Sequence, residues 1–476
     1  MVLTWNTECP VRCSCYENSN DLKVLDCSYK GLSVMPDPEA LPQDINIINV
    51  AGNNIEYVHP EMNFWILKLV EMDISDNRLT TVPTLKSPSL RKLNLSNNSI
   101  SSIRSDDFKV LENLRFLDLS KNRIFGIDSA VFKNLKFLRH LNLSSNYLTD
   151  LPDLTGSNEL DEVYLQNNEF TVITSGELAL SNLSRLDLSN NRIRSVESHA
   201  FFHCPSLQSL RLAHNRLTQV PSHALFYINL LTTIDLSNNP LVSVRNGDFA
   251  SLPYLQELDL SRTKIEIVEE GAFAVGSSLI RIYLNDNSKL TFLEPGSLRG
   301  LQNLTTLYLH NNNLSTVHNL SSLPSLETLT LYGNPLICDC SIRWLPNYLQ
   351  YYFGLQSDKL FCTDEIGHRT TLQSELRLER WCPPRIVSPF PEIETYEGQS
   401  VKVSCYAVGN PPPELKWYSS DDNVISETKD LIIDDINIAQ EGIYTCRAKS
   451  VRGKGGNIKA GKVEGLEVYV GLNQNG

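Results

Sequence analysis

The chain lacks any run of about eighteen apolar residues, so no segment is expected to cross a bilayer as a helix. Its opening, MVLTWNTE, has no apolar core of the kind a secretion leader needs. Catalytic signatures are missing too. The nine histidines are scattered, with no His-Glu-x-x-His and no Gly-x-Ser-x-Gly. The GKGG at 453–456 lacks the spacing and the Ser/Thr of a phosphate-binding loop and reads as a flexible hairpin. No enzyme, metal site or cofactor is therefore expected. A basic excess is absent as well: the net charge is −13, which argues against a general nucleic-acid binder.

What the chain does have is cysteine, in clusters. Cys9, Cys13, Cys15 and Cys27 lie at the start, Cys338, Cys340, Cys362 and Cys382 past the middle, and Cys405 and Cys446 near the end. Groups of four, four and two indicate disulfides made in an oxidising compartment. Zinc is the alternative for the first cluster, but N-x-[ST] triplets at Asn94, Asn97, Asn142, Asn182, Asn303, Asn313 and Asn319 also point to secretion. Disulfides and sequons without a leader suggest a mature or truncated ectodomain, with any membrane anchor beyond Gly476.

At 476 residues the chain exceeds one compact core. Between the first two cysteine clusters a single motif recurs, L-x-x-L-x-L-x-x-N-x-L. Its first apolar position falls at Ile45, Leu69, Leu90, Leu114, Leu138, Leu160, Leu183, Leu207, Leu231, Leu255, Leu279, Leu304 and Leu326. Thirteen units, mostly 24 residues apart, specify a leucine-rich-repeat solenoid. Its L-x-L pair makes a short parallel strand with both leucines inward and the middle residue outward. The fold class is thus an α/β-type solenoid, mainly parallel β on the concave face and irregular on the convex side. At about 4.8 Å per strand its arc is roughly 60 Å long.

Each motif asparagine, from Asn53 to Asn334, stands where the chain turns after the strand and can satisfy backbone groups left inside. On the back, Phe108, Phe132, Phe201, Phe249 and Phe273 precede the next repeat's first leucine by six residues. Leu111, Leu135, Cys204 and Leu252 sit midway, so the odd Cys204 reads as a buried free thiol, with a reactive thiol as the alternative. Two irregularities stand out. Thr263 replaces the motif asparagine of repeat ten, and one extra residue separates Asn287 from Leu290. Either could change the local curvature or be tolerated drift.

Solenoid ends need caps, and CPVRCSC…LDC and NPLICDC…W…C…C are placed to supply them. Here the chain resembles the extracellular leucine-rich-repeat proteins with paired cysteine caps. That resemblance implies Cys9–Cys15 and Cys13–Cys27 at one end, and Cys338–Cys362 and Cys340–Cys382 at the other. From Pro383 the pattern becomes all-β. EGQSVKVSC, then Trp417, then EGIYTC give the Cys405…Trp417…Cys446 signature of an immunoglobulin sandwich, with Tyr444 as its tyrosine corner. Gln440 stands where that family usually has Asp, which is expected to cost one loop hydrogen bond.

The expected order is a tail (1–8), a cap (9–44), thirteen repeats (45–337), a second cap (338–383), an immunoglobulin domain (384–471) and a tail (472–476). This order resembles the leucine-rich-repeat and immunoglobulin cell-surface proteins of the LINGO, Kekkon, AMIGO and LRIG families. The resemblance implies a single-pass cell-surface protein that binds another membrane protein or receptor, or itself, as co-receptor, modulator or adhesion molecule. The alternatives are a secreted matrix protein, or the targeting region of a larger extracellular enzyme of peroxidasin type.

On the concave face, Asn and Asp between the strand leucines are close to the repeat's default, so departures carry more information. Tyr283, Tyr308 and Tyr332 fall on successive repeats with Arg262, Arg281 and His310 nearby, a composition suited to a protein-binding patch. "LYLHNN" is also an ordinary repeat variant, so a structural reading stands beside this one. Sugar on Asn94 and Asn142 would crowd the concave strands of repeats three and five, leaving the C-terminal half more accessible. Finally, Arg447, Lys449, Arg452, Lys454, Lys459 and Lys462 fall on the last hairpin of the sandwich. They could attract heparan sulfate, anionic lipid headgroups or an acidic partner, or be a solvated hairpin.

Overall fold

The computed structural model describes residues 9–42, 44–59, 62, 64, 67–273, 278–320, 322–345, 360–364, 366–372, 382–387, 392–450 and 463–472. The chain divides into two compact units. One comprises Met1–Leu241, Gly247–Leu260 and Val275–Leu279; the other comprises Val242–Asn246, Ser261–Ala274 and Ile280–Gly476.

The first unit is solenoid. Three-residue strands run in parallel register from Ile47–Asn49 to Glu257–Asp259, each pairing with the next repeat. The middle residue of each strand is an apolar side chain buried in the core, and its two neighbours face out. An antiparallel hairpin, Ser14–Glu17 with Lys23–Asp26, closes the N-terminal end, and its second strand continues the sheet onto Ile47–Asn49. Cys9–Cys15 and Cys13–Cys27 bridge this cap. On the back, Phe108, Phe132, Phe201 and Phe249 are buried, and Cys204 is a buried free thiol in the same packing.

What holds successive coils in register is the asparagine ladder. Asn146 donates from Nδ2 to the Leu119 carbonyl of the preceding repeat and to the Leu143 carbonyl of its own, each at 3.0 Å. Its Oδ1 accepts from the Ile124 amide at 3.0 Å. Asn98, Asn122, Asn168, Asn191, Asn215 and Asn239 repeat the pattern and are all buried. Backbone groups that no sheet partner reaches are thereby satisfied inside the core.

The second unit contains the parallel repeat strands Arg281–Tyr283, Thr306–Tyr308 and Thr328–Thr330. The two sequence irregularities meet in its ladder. Elsewhere the asparagine Oδ1 accepts from the amide two residues past the preceding ladder position. Asn287 Oδ1 instead accepts from Thr263 itself, from the amide at 2.5 Å and the hydroxyl at 2.7 Å. Asn312 likewise accepts from the Asn287 amide at 2.7 Å, and Asn334 then returns to the ordinary step with Leu314. Thr263 and the inserted residue are one local re-registration of the ladder, completed over two repeats.

Cys338–Cys362 and Cys340–Cys382 bridge the second cap, and Trp344 Nε1 donates to the Val317 carbonyl at 3.0 Å. The immunoglobulin sandwich follows. Its larger sheet orders Glu392–Thr395, Val463–Leu472, Gly442–Lys449, Glu414–Tyr418 and Val424–Ser426; Val401–Ser404 pairs with Asp430–Ile433 across the core. Trp417 is fully buried beside the Cys405–Cys446 disulfide, and Tyr444 Oη donates to the Gln440 carbonyl at 2.6 Å. Gln440 makes a loop hydrogen bond of its own. Gln440 Oε1 accepts from the Asn437 amide at 3.1 Å and completes a capping box with the Asn437 side chain.

Replacing Asn146 by Ala orphans the Ile124 amide and two carbonyls inside the core, at a cost of about 3 kcal/mol. Asn146→Ala is expected to lower the chemical-denaturation midpoint clearly. The surface substitution Asn113→Ala, whose single contact is to the Pro88 carbonyl at the exposed surface, should leave it nearly unchanged.

Candidate functional site

The outward strand positions have two jobs. At most of them an Asp or Asn turns its Oδ1 onto the backbone amide two residues on: Asp73 to Ser75, Asn94 to Ser96, Asp118 to Ser120, Asn142 to Ser144, Asp187 to Ser189 and Asp235 to Ser237. The acidic stripe is therefore a row of strand-end caps. Positions without such a residue are free to contact something else, and aromatic and charged groups gather there.

In the second unit they form a column. The Tyr283 and Tyr308 rings stack with centroids 5.1 Å apart. Tyr308 meets His310 edge-on at 6.0 Å, and His310 lies nearly parallel to Tyr332 at 4.6 Å, inclined by 14°. All four side chains are partly exposed. His310 Nδ1 lies 2.8 Å from Thr330 Oγ1, which fixes the imidazole between its neighbours. Arg262 stands at the edge with its Nε 3.7 Å from Asp286, whose carboxylate also accepts from Asn285 and Asn311 at 2.7 and 2.8 Å. Arg281 is exposed at the start of its strand. Such an array offers flat apolar faces with hydroxyl and guanidinium handles, the chemistry of a protein contact. No metal-holding cluster of His, Cys, Asp or Glu occurs among the described residues, and no helix among them is long and apolar enough to cross a membrane.

The other singled-out residues lie elsewhere. Arg447 pairs with Asp422 at 2.5 Å and covers the Tyr418 ring at 4.3 Å, so it is engaged within the sandwich. Lys449 is exposed at the strand end, while Arg452, Lys454, Lys459 and Lys462 lie outside the described residues. Asn94 and Asn142 sit at the ends of concave strands, their Nδ2 groups 3.1 Å from Asp73 and Asp118 respectively. Asn182, Asn303, Asn313 and Asn319 are exposed and outside the strands. Asn97 is an exposed turn residue with positive φ. Burial pushes the Cys204 thiol up to about 11, so it stays protonated and unreactive at neutral pH.

Two features escaped the sequence reading. A second array runs along the first unit: Lys92 Nζ lies 5.5 Å from the Phe116 ring centroid, Phe116 stacks on His140 at 4.3 Å, and His140 leans on Tyr164 at 5.1 Å. Glu162 ties His140 at 2.9 Å and Arg185 at 3.6 Å into it. Its signal was present at the first strand position, one residue before the inward leucine. Within the second unit, the start of the immunoglobulin domain packs on the last repeats. Ile267, Phe292, Val387 and Tyr406 form a buried cluster, Arg385 reaches Asp339 at 2.8 Å, and Lys429 reaches Glu270 at 3.0 Å. No periodic pattern announces that contact.

Burial holds the His310 imidazole below its ordinary value, with Asp286 opposing the shift, so the stacked ring is neutral at pH 7. The unfolded chain then takes up a proton near pH 6.5 that the folded one refuses until lower pH. Stability from this site is complete above that value and declines as pH falls toward the folded value. His310→Gln is therefore expected to shrink the loss of melting temperature between pH 7.5 and 5.5. An undiminished loss would place the acid sensitivity elsewhere.

The family model described as leucine rich repeat matches residues 67–124, 117–170, 158–217, 181–241, 229–288 and 277–336, and the immunoglobulin domain model matches 383–450. The mouse peroxidasin homolog is 32% identical over 137 residues, 25% of this chain but 9% of that protein. The human leucine-rich repeat, immunoglobulin-like domain and transmembrane domain-containing protein 2 is 26% identical over 144 residues, 26% of either chain. The chain thus spans about a quarter or less of these relatives' own lengths. Among solved structures, an octameric complex of Latrophilin 3, Unc5D and FLRT2 contains a chain of TM-score 0.55 and 22% identity, covering 77% of this chain and 97% of that one. That likeness is one of fold. With repeats matched across more than half its length, ladder and caps in place, and a sandwich after them in sequence, this chain belongs to the leucine-rich-repeat proteins, in the branch that also carries an immunoglobulin domain.

Proposed function

We propose that this protein is a non-catalytic recognition protein of the cell surface, binding another membrane protein or receptor, or a second copy of itself, through the concave face of its last repeats. The observation that carries the proposal is the continuous column Tyr283, Tyr308, His310 and Tyr332, flanked by Arg262 and Arg281. Repeat and immunoglobulin modules are binding scaffolds, and the peroxidasin match lies within a stretch covering 9% of that protein, which brings no catalysis to this chain. Five disulfides fit an extracellular setting. Two further facts support membrane company. The human relative is named for a transmembrane domain, and the solved complex unites a leucine-rich-repeat chain with Latrophilin 3 and Unc5D. The sequons of these last repeats lie outside the strands, so no acceptor asparagine stands on the strand positions of the column. A co-receptor or adhesion role, held at the membrane by an anchor outside these domains, is the reading that joins these facts.

The test is direct. Glycosylated ectodomain is titrated onto intact cells by flow cytometry and, in parallel, followed by multi-angle light scattering over a concentration series. Tyr308→Ala with Tyr332→Ala is expected to cut cell binding about tenfold or more, as loss of a hot spot does. The melting temperature should change little. Undiminished binding by the variant would remove the column from the site. A concentration-dependent dimer sensitive to the same changes would select adhesion, and a strict monomer a co-receptor.

A further inference from the structure

The charge of the first repeats is divided unevenly. Residues 86–140 hold eleven lysines and arginines against five carboxylates, in a chain whose net charge is −13. Residues 141–184 then hold seven carboxylates and no lysine or arginine. Within the basic stretch the structure gives the charge a direction. Arg91, Arg115 and Arg139 occupy one position on three successive repeats, immediately before each concave strand. They are direct neighbours: the Arg115 amide donates to the Arg91 carbonyl at 2.7 Å, and the Arg139 amide to the Arg115 carbonyl at 2.9 Å. All three are exposed. The guanidinium groups therefore leave the sheet margin at intervals of about 4.8 Å. Arg139 pairs with Glu159 at the surface, at 3.2 Å, whereas Arg91 and Arg115 have no ion pair among the described residues. Lys92, next to Arg91, is paired with Glu71 at 3.7 Å and adds no unpaired charge. The next residue in the column is Asp161, which ends it.

We propose that this margin binds a sulfated glycosaminoglycan chain, laid across the repeats so that successive sulfates or carboxylates meet successive arginines. Arginine's planar fork suits oxyanions, and a regular row of them suits a polymer with regularly repeated charge. The sequons favour a narrow occupant over a protein. Asn94 and Asn142 stand at the far ends of the concave strands on either side of Arg115, so their sugars cover the breadth that a globular partner needs and leave the strand-start margin open. This site is separate from the aromatic column of the last repeats, and either can fail alone.

The experiment uses the full glycosylated ectodomain on surfaces of heparin and of chemically desulfated heparin, by surface plasmon resonance at physiological salt. Wild type is expected to bind heparin, to lose most of that binding on desulfation, and to weaken steeply with added salt. Arg91→Ser with Arg115→Ser is expected to weaken heparin binding about tenfold, the combined worth of two exposed charge contacts. Arg452→Ser with Lys454→Ser, in the basic segment after Cys446, should leave binding in place. Circular dichroism melts confirm that each variant folds. No heparin binding by wild type, equal binding to the desulfated surface, or loss only with Arg452→Ser and Lys454→Ser would each overturn the proposal.

Discussion

Everything else in the solenoid depends on the bonds of its buried asparagines. A parallel strand of three residues satisfies few of its own backbone groups, and the turn that follows carries amides and carbonyls into the core with no sheet partner. An Asn amide supplies two donors and an acceptor at that point and joins each coil to the one before it, as Asn146 does with Leu119, Leu143 and Ile124. The leucines contribute the burial, but burial alone has no direction. The ladder sets the rise and register, and stacked leucines fill the space that it defines.

Because the backbone is fixed from inside, the outward strand positions are released from structural duty except at the strand-end caps. This explains how one scaffold carries two unlike surfaces. In the last repeats the freed positions hold tyrosine and histidine in contact; in the first they hold lysine, phenylalanine and histidine beside a row of arginines. Neither set disturbs the core, since the inward residue of every strand remains apolar. The Thr263–Asn287 step shows the limit of this freedom. When the ladder residue itself changes, the bond is remade two residues away, and the following repeat must shift with it before Asn334 restores the usual step.

The strands, the inward leucines and the sandwich were legible because each follows from a period: a repeat of about 24 residues, an alternation of two within the strand, and a Cys–Trp–Cys spacing. Interactions between equivalent positions on different repeats were only half legible. Tyr283 and Tyr308 stood out because tyrosine is unusual between the strand leucines, and Tyr332 because it follows the strand of the next repeat, whereas Phe116, His140 and Glu162 occupy a more variable position whose column becomes visible only when the repeats are aligned in space. The packing of Arg385 and Tyr406 on the last repeats was not legible at all. It joins residues far apart in sequence through one guanidinium and one ring, and no local pattern encodes such a meeting. Gln440 taught a smaller lesson. A departure from a family's usual residue need not leave a loop without a side-chain bond, since Gln440 closes a capping box with Asn437.

The question of how a face can bind and carry sugar resolves into position along the strand. Residues at the strand end cap the backbone with Asp or Asn, and it is this capping chemistry that places asparagine there, so that a Ser two residues later completes a sequon at Asn94 and Asn142 without any departure from the repeat. An acceptor asparagine on the concave face is then a by-product of the cap, confined to the strand end. The position just before the strand carries no such constraint and keeps the arginines. In the last repeats the corresponding strand-end positions are Tyr283, Tyr308 and Thr330, none of which can accept N-linked sugar, and the aromatic column occupies the width that the capped repeats surrender.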